Sequence, residues 1–244
     1  MNGQIHRNYD AIFELEIMAH ATNYNEWIWY TISPYVGDVI LEVGSGIGTF
    51  THFLKEKKRV YATDIAPNCI EVLKNRFVNY GNISISYFNV ELDEQIPFDG
   101  RDVDTAICLN VLEHIGDDKA ALINLNRIMQ SGSKLVVMVP ACQAAYGTVD
   151  ELDGHYRRYE KREIIEKLNY SRFRIRKCRY FNSIGLLAWY FTNKIVRDRE
   201  TSSVKLKFYD RHVVPILRVA ESLVSPPFGQ SIIVIAEKHE DFES

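Results

Sequence analysis

Short apolar runs separated by amphipathic stretches mark out the first 140 residues of the chain. Val39 to Val43 (VILEV) is an apolar run interrupted only by Glu42, and it ends in Gly44-Ser45-Gly46. A run of that length closed by a glycine turn reads as a buried strand, with a helix able to start just after Gly48. Arg59 to Thr63 reads as a second strand. Pro67 then stands where a first-turn proline is tolerated, and it opens a helix through roughly Asn79. Ile83 to Phe88 alternates as a third strand, Val103 to Leu109 is a fourth, and Leu135 to Val139, closed by Pro140, is a fifth. A helical stretch from Asp117 to Met129 separates the last two. Strands spaced by helices of this length make βαβ units, so the pattern predicts an α/β fold, doubly wound around a mostly parallel sheet covered on both faces.

The pattern changes after Pro140. Residues 141–159 form a polar, aromatic stretch read as a loop, 160–169 read as a helix, Phe173 to Tyr180 as a strand of alternating basic and apolar residues, and Ser231 to Ala236 as a last strand. The roughly fifty residues between those two strands are too many for a hairpin connection. They carry two helix-like stretches, Ile184–Val196 and Val204–Leu223, ended by Ser225-Pro226-Pro227, and are expected to form an inserted helical lobe. Residues 1–36, with Tyr24, Trp27, Trp29 and Tyr30, read as a helical cap.

Composition narrows the function classes. The chain has 244 residues, 46% of them hydrophobic, enough for one well-buried domain. With 29 Lys+Arg against 32 Asp+Glu, no overall basic field exists to hold a nucleic-acid backbone, so nucleic acid is not the expected partner. Cys69, Cys108, Cys142 and Cys178 are too dispersed for a zinc cluster and are expected to be reduced thiols. No close His/Cys/carboxylate set is visible, so no metal is implied. The N-terminus lacks the pattern of a signal peptide, and the longest apolar run, Ile184 to Phe191, falls well short of the roughly 20 residues that cross a bilayer. A cytoplasmic location with no membrane span is expected.

The chemistry concentrates at the first strand's end. Gly44, Gly46 and Gly48 alternate directly after a strand and before a helix, where the chain must turn tightly and let a ligand approach the backbone. Asp64 ends the second strand, where a carboxylate can accept both hydroxyls of a ribose. Together they point to a nucleoside ligand. A dinucleotide fingerprint would need glycine where Thr49 stands, and Glu42 suits a cationic, zwitterionic ligand better than a pyrophosphate.

In these residues the sequence resembles the class I S-adenosylmethionine-dependent methyltransferases, whose first motif is an acidic residue followed by GxGxG. The resemblance covers roughly residues 20–140. It implies a seven-stranded Rossmann-like methyltransferase sheet, S-adenosyl-L-methionine as cofactor and S-adenosyl-L-homocysteine as product. It further implies that the cofactor is held by Glu42, Gly44, Gly46, Gly48, Asp64, Ile65, Asn89, Val90, Asn110 and His114, with Tyr24 and Trp27 in an N-terminal lid. On that division the chain is a single domain: cap or lid over 1–36, cofactor-binding half over 37–140, and acceptor-side half over 141–244 with its helical insertion at about 184–225.

On the acceptor side, His155 can remove a proton near neutral pH, or can simply be satisfied by a backbone carbonyl or by Asp150. Tyr146, Asp150, Tyr156, Arg157 and Arg158 are the candidate acceptor contacts. The two arginines either clamp an anionic group or pair with Glu160 and Glu163. Gly154–Tyr159, Arg179–Gly185 and Ser225–Ser231 resemble a subgroup of these enzymes associated with glycosyltransferases and surface-polysaccharide assembly. The fourth strand ends in Leu109-Asn110-Val111-Leu112, without the Asn/Asp-Pro-Pro-Tyr motif that related enzymes use on planar nitrogens. A small-molecule or saccharide acceptor methylated at oxygen or nitrogen is therefore expected, with a peptide α-amine open. Twelve basic against three acidic residues between Ser171 and Arg218 allow a peripheral contact with an anionic headgroup. Two competing classes stay open: an NAD-dependent oxidoreductase, and a non-catalytic nucleoside-binding assembly protein.

Overall fold

The computed structural model describes residues 12–13, 15–92, 102–190 and 203–239. Helix α1 (Thr22–Ile32) precedes strand β1 (Val39–Val43), the short helix α2 (Thr51–Leu54), β2 (Arg59–Asp64) and helix α3 (Pro67–Arg76). Then come β3 (Ile83–Tyr87), β4 (Thr105–Leu109), α4 (Asp118–Ile128) and β5 (Lys134–Pro140). The chain continues through α5 (Thr148–Leu152), α6 (Lys161–Tyr170), β6 (Phe173–Phe181) and α7 (Ser183–Tyr190). After the undescribed residues come α8 (Ser203–Phe208), a π-helical turn (Tyr209–Val213), α9 (Val214–Leu223) and β7 (Ser231–Lys238).

The seven strands form one sheet in the order β3-β2-β1-β4-β5-β7-β6. β1 to β5 run parallel, and β7 is antiparallel to both β5 and β6. Alternation along the strands divides the core, because successive side chains point to opposite faces. Val39, Leu41 and Val43 join Leu135, Val137 and Val139 under α4 and α6. Ile40, Val136 and Met138 face Trp27, Ile28 and Ile32 of α1 together with Leu73 of α3. Every residue of β1 is buried, which explains its continuous apolar run.

Local chemistry sets the helix ends. Asp117 caps α4 by accepting the Ala120 N–H at 3.0 Å. Pro67 and Pro215 sit in the first turns of α3 and α9, where a missing N–H costs nothing. Pro215 has no N–H to continue the ladder of the preceding helix, and the π turn at Tyr209–Val213 lies just before it.

One expectation is corrected here. The stretch 141–159 is not a bare loop, since it contains a short 3-10 turn at Gln143–Ala145 and helix α5. The described part of the insertion is helical and packs onto α1. Val214 and Leu217 are buried in the same apolar cluster as α1, and Asp210, 5% exposed, accepts the Asn23 N–H at 3.2 Å and the Tyr24 N–H at 2.8 Å at the start of α1. Part of the expected helix Ile184–Val196 lies outside the described residues, as do Lys194, Arg197 and Arg199 of the basic stretch.

Candidate functional site

Because β1 to β5 are parallel and β7 enters from the opposite direction, one edge of the sheet collects the residues after Val43, Asp64, Tyr87, Leu109, Pro140 and Phe181. Gly44, Gly46 and Gly48 all have positive φ there, at 69°, 55° and 87°. Three of the four non-glycine residues with positive φ among those described, Asn110, Cys142 and Asn182, directly follow or lie just beyond β4, β5 and β6. Such backbone costs free energy, and it concentrates where a structure must present atoms to a ligand.

Positive φ strains a side chain at all three glycines, and crowding adds to it at Gly44 and Gly48. A Cβ on Gly48 would stand 2.5 Å from Phe77 Cε2 and 3.0 Å from Leu73 Cδ2, and one on Gly44 would collide with Val111. Leu15 covers Gly46, its Cδ1 lying 3.4 Å from where a Cβ would stand. Asp64 is tied into this turn. Its Oδ2 accepts the Gly46 N–H at 2.8 Å and its Oδ1 accepts the Ala66 N–H at 2.8 Å. Each oxygen keeps a further lone pair for a ligand hydroxyl. Ile65, next along, is 59% exposed and offers an apolar surface at the same edge.

Glu42 lies beneath the turn, 4% exposed. Its Oε2 accepts the Thr51 hydroxyl at 2.6 Å and the Ser45 hydroxyl at 3.0 Å. Burial pushes its pKa up to about 7 against the pull of those two hydroxyls. After β3, Asn89 Oδ1 accepts the Glu91 N–H at 3.0 Å, while Val90 is buried and its carbonyl accepts from the Asn124 amide at 3.0 Å. After β4, the Asn110 N–H donates to the Met138 carbonyl at 2.8 Å.

The acceptor-side residues divide. His155 Nδ1 lies 2.9 Å from Asp150 Oδ1, which fixes the ring. Asp150 is itself fully buried and also accepts from Arg158 Nε at 2.8 Å and from the Gly147 N–H at 2.9 Å. These donors outweigh desolvation and hold the Asp150 carboxyl below its usual range. The His155 ring is desolvated, yet its bond to Asp150 and the nearby Glu113 and Asp153 raise its pKa above the ordinary imidazole value. Tyr146 donates its hydroxyl to the His155 carbonyl at 2.8 Å, and Tyr156 is 64% exposed.

Three of the expected acceptor contacts are engaged within the protein. Asp150 and Arg158, 0% and 2% exposed, form a buried pair. Arg157 spends its guanidinium on Asp118 at 2.9 Å and on the carbonyls of Ile115 and Gly116 at 3.1 and 2.8 Å. The arginines thus pair with Asp118 and Asp150 instead of Glu160 and Glu163. Tyr24 and Trp27, expected as a lid, pack instead on Phe181 with ring centroids 5.9 and 4.0 Å away. Desolvation raises the Tyr24 phenol to about 12. The N-terminal residue that does reach the glycine turn is Leu15.

The expectation that no close ligand set exists is also overturned. Glu113, His114 and His155 bring potential ligand atoms within 4.8 Å of one another, and the two rings meet edge to face at 4.6 Å. Burial pushes the Glu113 carboxyl up to about 7, while desolvation and His155 hold His114 down to about 4. Sequence separation hid this grouping, since 41 residues part His155 from His114. The hydroxyls of Ser45 and Thr51 on Glu42 were likewise unmarked by any motif.

Comparison with known proteins agrees with this geometry. Residues 41–137 match a family model described as a methyltransferase domain. A ubiquinone/menaquinone biosynthesis C-methyltransferase of Shewanella sp. (strain ANA-3) is 28% identical over 120 residues, 46% of this chain and 47% of that protein, so the match spans about half the relative's length. The N-methyltransferase NodS of Bradyrhizobium japonicum, solved with S-adenosyl-L-homocysteine, superposes with a TM-score of 0.57 at 15% identity, over 88% of this chain and 85% of that one. The [4+2]-cyclase SpnF superposes with a TM-score of 0.59 at 14% identity, over 89% and 81%. Likenesses this distant establish the fold, which hosts more than one reaction. Among the described residues, no helix is long and apolar enough to cross a membrane.

Proposed function

We propose that this chain, whose residues 41–137 match a methyltransferase-domain model, is a class I S-adenosylmethionine-dependent methyltransferase that transfers a methyl group from that cofactor to an oxygen or nitrogen of a small-molecule or saccharide acceptor. The observation that carries the reading is the Asp64 carboxylate, hydrogen-bonded to Gly46 in a turn of three positive-φ glycines. Asp64 takes the ribose hydroxyls, Ile65, Asn89 and Val90 line the base, and Glu42 lies under the cationic end beside Gly44, Gly46, Gly48 and Asn110. The cofactor supplies a methyl group already activated on a sulfonium. Holding the acceptor in line with it can contribute on the order of 7–11 kcal/mol.

The acceptor lies over the end of β4 and the segment 146–156, against Tyr146 and Tyr156. His155, oriented by Asp150, is assigned to the acceptor's nucleophilic atom, and His114 stands beside it. The match to a quinone C-methyltransferase favours a second reading, transfer to carbon. Polar groups at this end of the site support oxygen or nitrogen over it.

Two measurements test the proposal. Calorimetric titration should show S-adenosyl-L-homocysteine binding and no comparable binding of NADH; the reverse result removes the reading. Labelled-methyl transfer into nucleotide sugars, lipid-linked sugars, amines, phenols and quinols should then find an acceptor. No transfer to any of them, with cofactor binding intact, would favour the non-catalytic assembly protein.

A further inference from the structure

The cluster beyond the end of β4 has an arrangement that hydrogen bonding alone leaves unexplained. Glu113 is 1% exposed, and its Oε2 has no hydrogen-bond partner. An unmet carboxylate oxygen in the interior is costly, on the order of 1–3 kcal/mol or more, and calls for a missing partner. Two imidazoles stand beside it, yet neither donates to it.

Both rings are instead anchored from behind. His155 Nδ1 is bound to the buried Asp150, which Arg158 and Gly147 hold in turn. His114 is hydrogen-bonded to the backbone at Asp153. Each ring therefore keeps one nitrogen uncommitted. Carboxylate and carbonyl partners behind ligating histidines are what fix ring orientation in metal sites.

We propose that Glu113, His114 and His155 bind a divalent transition-metal cation that takes the acceptor's oxygen as a further ligand.

The inference rests on the methyl-transfer reading for its acceptor but not for the ion, and with the ion bound His155 acts on the acceptor's nucleophilic atom through the metal. Ligands about 2.0–2.2 Å from a common ion lie roughly 3–3.6 Å apart, so atoms already within 4.8 Å need only small side-chain rotations to close on it. Two imidazoles with one carboxylate suit zinc, iron(II), manganese or cobalt; magnesium and calcium prefer all-oxygen shells. Three protein ligands leave coordination positions open, and His114 is exposed, so a small ligand can reach the ion. Val111, two residues before Glu113, packs on Gly44, which sets the cluster beside the turn assigned to the cofactor. An acceptor hydroxyl coordinated there loses its proton to solvent more readily than a free one, because the cation stabilises the resulting oxyanion. The preferred acceptors are therefore hydroxyl compounds, with adjacent oxygens such as diols favoured by chelation.

The test uses the full chain, freed of metal with a chelator and titrated with Co²⁺ while its visible absorption is followed. One saturable equivalent is expected, displaced by Zn²⁺ and not by Mg²⁺. Glu113→Gln should weaken Co²⁺ binding at least tenfold while leaving S-adenosyl-L-homocysteine titrations unchanged, and His114→Gln should weaken Co²⁺ binding to a similar extent. Absence of saturable Co²⁺ binding, or binding that neither substitution alters, overturns the proposal. Co²⁺ binding without any cofactor binding would instead remove the methyl-transfer reading and leave the ion site standing.

Discussion

Glu42 offers the sharpest test of how burial and function trade against each other in this fold. Its carboxyl is raised from 4.5 to about 7 by burial, with only the Ser45 and Thr51 hydroxyls to offset it. A folded-state pKa above the unfolded value means that the native protein binds a proton more tightly than the unfolded chain. The contribution is fully present below about pH 4.5 and is lost as pH rises through 7. The difference of about 2.5 units corresponds to about 3 kcal/mol, the cost of holding this carboxylate ionised and enclosed at alkaline pH. Glu42→Gln keeps the shape and an oxygen to accept both hydroxyls, and removes the ionisation. At pH 5 the variant should be more stable by only about 1 kcal/mol, since the unfolded carboxyl is already mostly ionised there, whereas at pH 8.5 the gain should reach about 3 kcal/mol. For a chain of this size that is about 6–12 °C in melting temperature. The same variant should bind S-adenosyl-L-homocysteine more weakly at pH 8.5, where the parent offers a full negative charge to the ligand's ammonium. Paired thermal and denaturant melts at the two pH values decide the matter. A stability difference that is the same at both would refute the assignment of the cost to ionisation.

Asp64→Ala should weaken S-adenosyl-L-homocysteine binding by about 1–3 kcal/mol, two hydroxyl contacts at about 0.5–1.5 kcal/mol each, and unchanged calorimetric affinity would put the ribose elsewhere. Gly48→Ala must fit a Cβ against Phe77 and Leu73 at φ 87° and should destabilise by about 1–3 kcal/mol in denaturant melts. Gly132→Ala, at φ 78° with nothing within 4 Å, should cost only about 1 kcal/mol; equal costs would mean that the crowding is not felt. Arg158→Met leaves the fully buried Asp150 without its cation and should cost about 3–5 kcal/mol, part of which Asp150→Asn in the same chain should restore. A double variant no more stable than the single one would show that the charge on Asp150 is not the source of the loss.

The parts of this fold that could be read from the sequence are those in which one residue's chemistry acts locally. Val39–Val43 announces a fully buried strand because all five residues are enclosed, and Gly44, Gly46 and Gly48 announce their turn because each has positive φ. The helix opened by Pro67 ends at Arg76, three residues before the expected Asn79, since no glycine or proline marks where its apolar face runs out. The loop stretch 141–159 concealed a helix of five residues, too short for its periodicity to register. The partners of Arg157 and Arg158 were misjudged because Glu160 and Glu163 are near in sequence, whereas Asp118 is brought in by a different helix and Asp150 by the turn of α5. His155 with Asp150 was legible at a separation of five residues; Glu113 was not, since only the return of the chain over the edge of the sheet brings it alongside.

The position of β7 bears on how the chain reaches this state during synthesis. The last described strand in chain order is not an outer one: Ser231–Lys238 is wedged between β5 and β6. Until it arrives, Lys134–Pro140 has an open flank of backbone donors and acceptors, and Phe173–Phe181 has no strand to join. A nascent or truncated polypeptide lacking those eight residues therefore exposes two sticky ribbons at once. Pairing of both ribbons therefore waits on Ser231–Lys238.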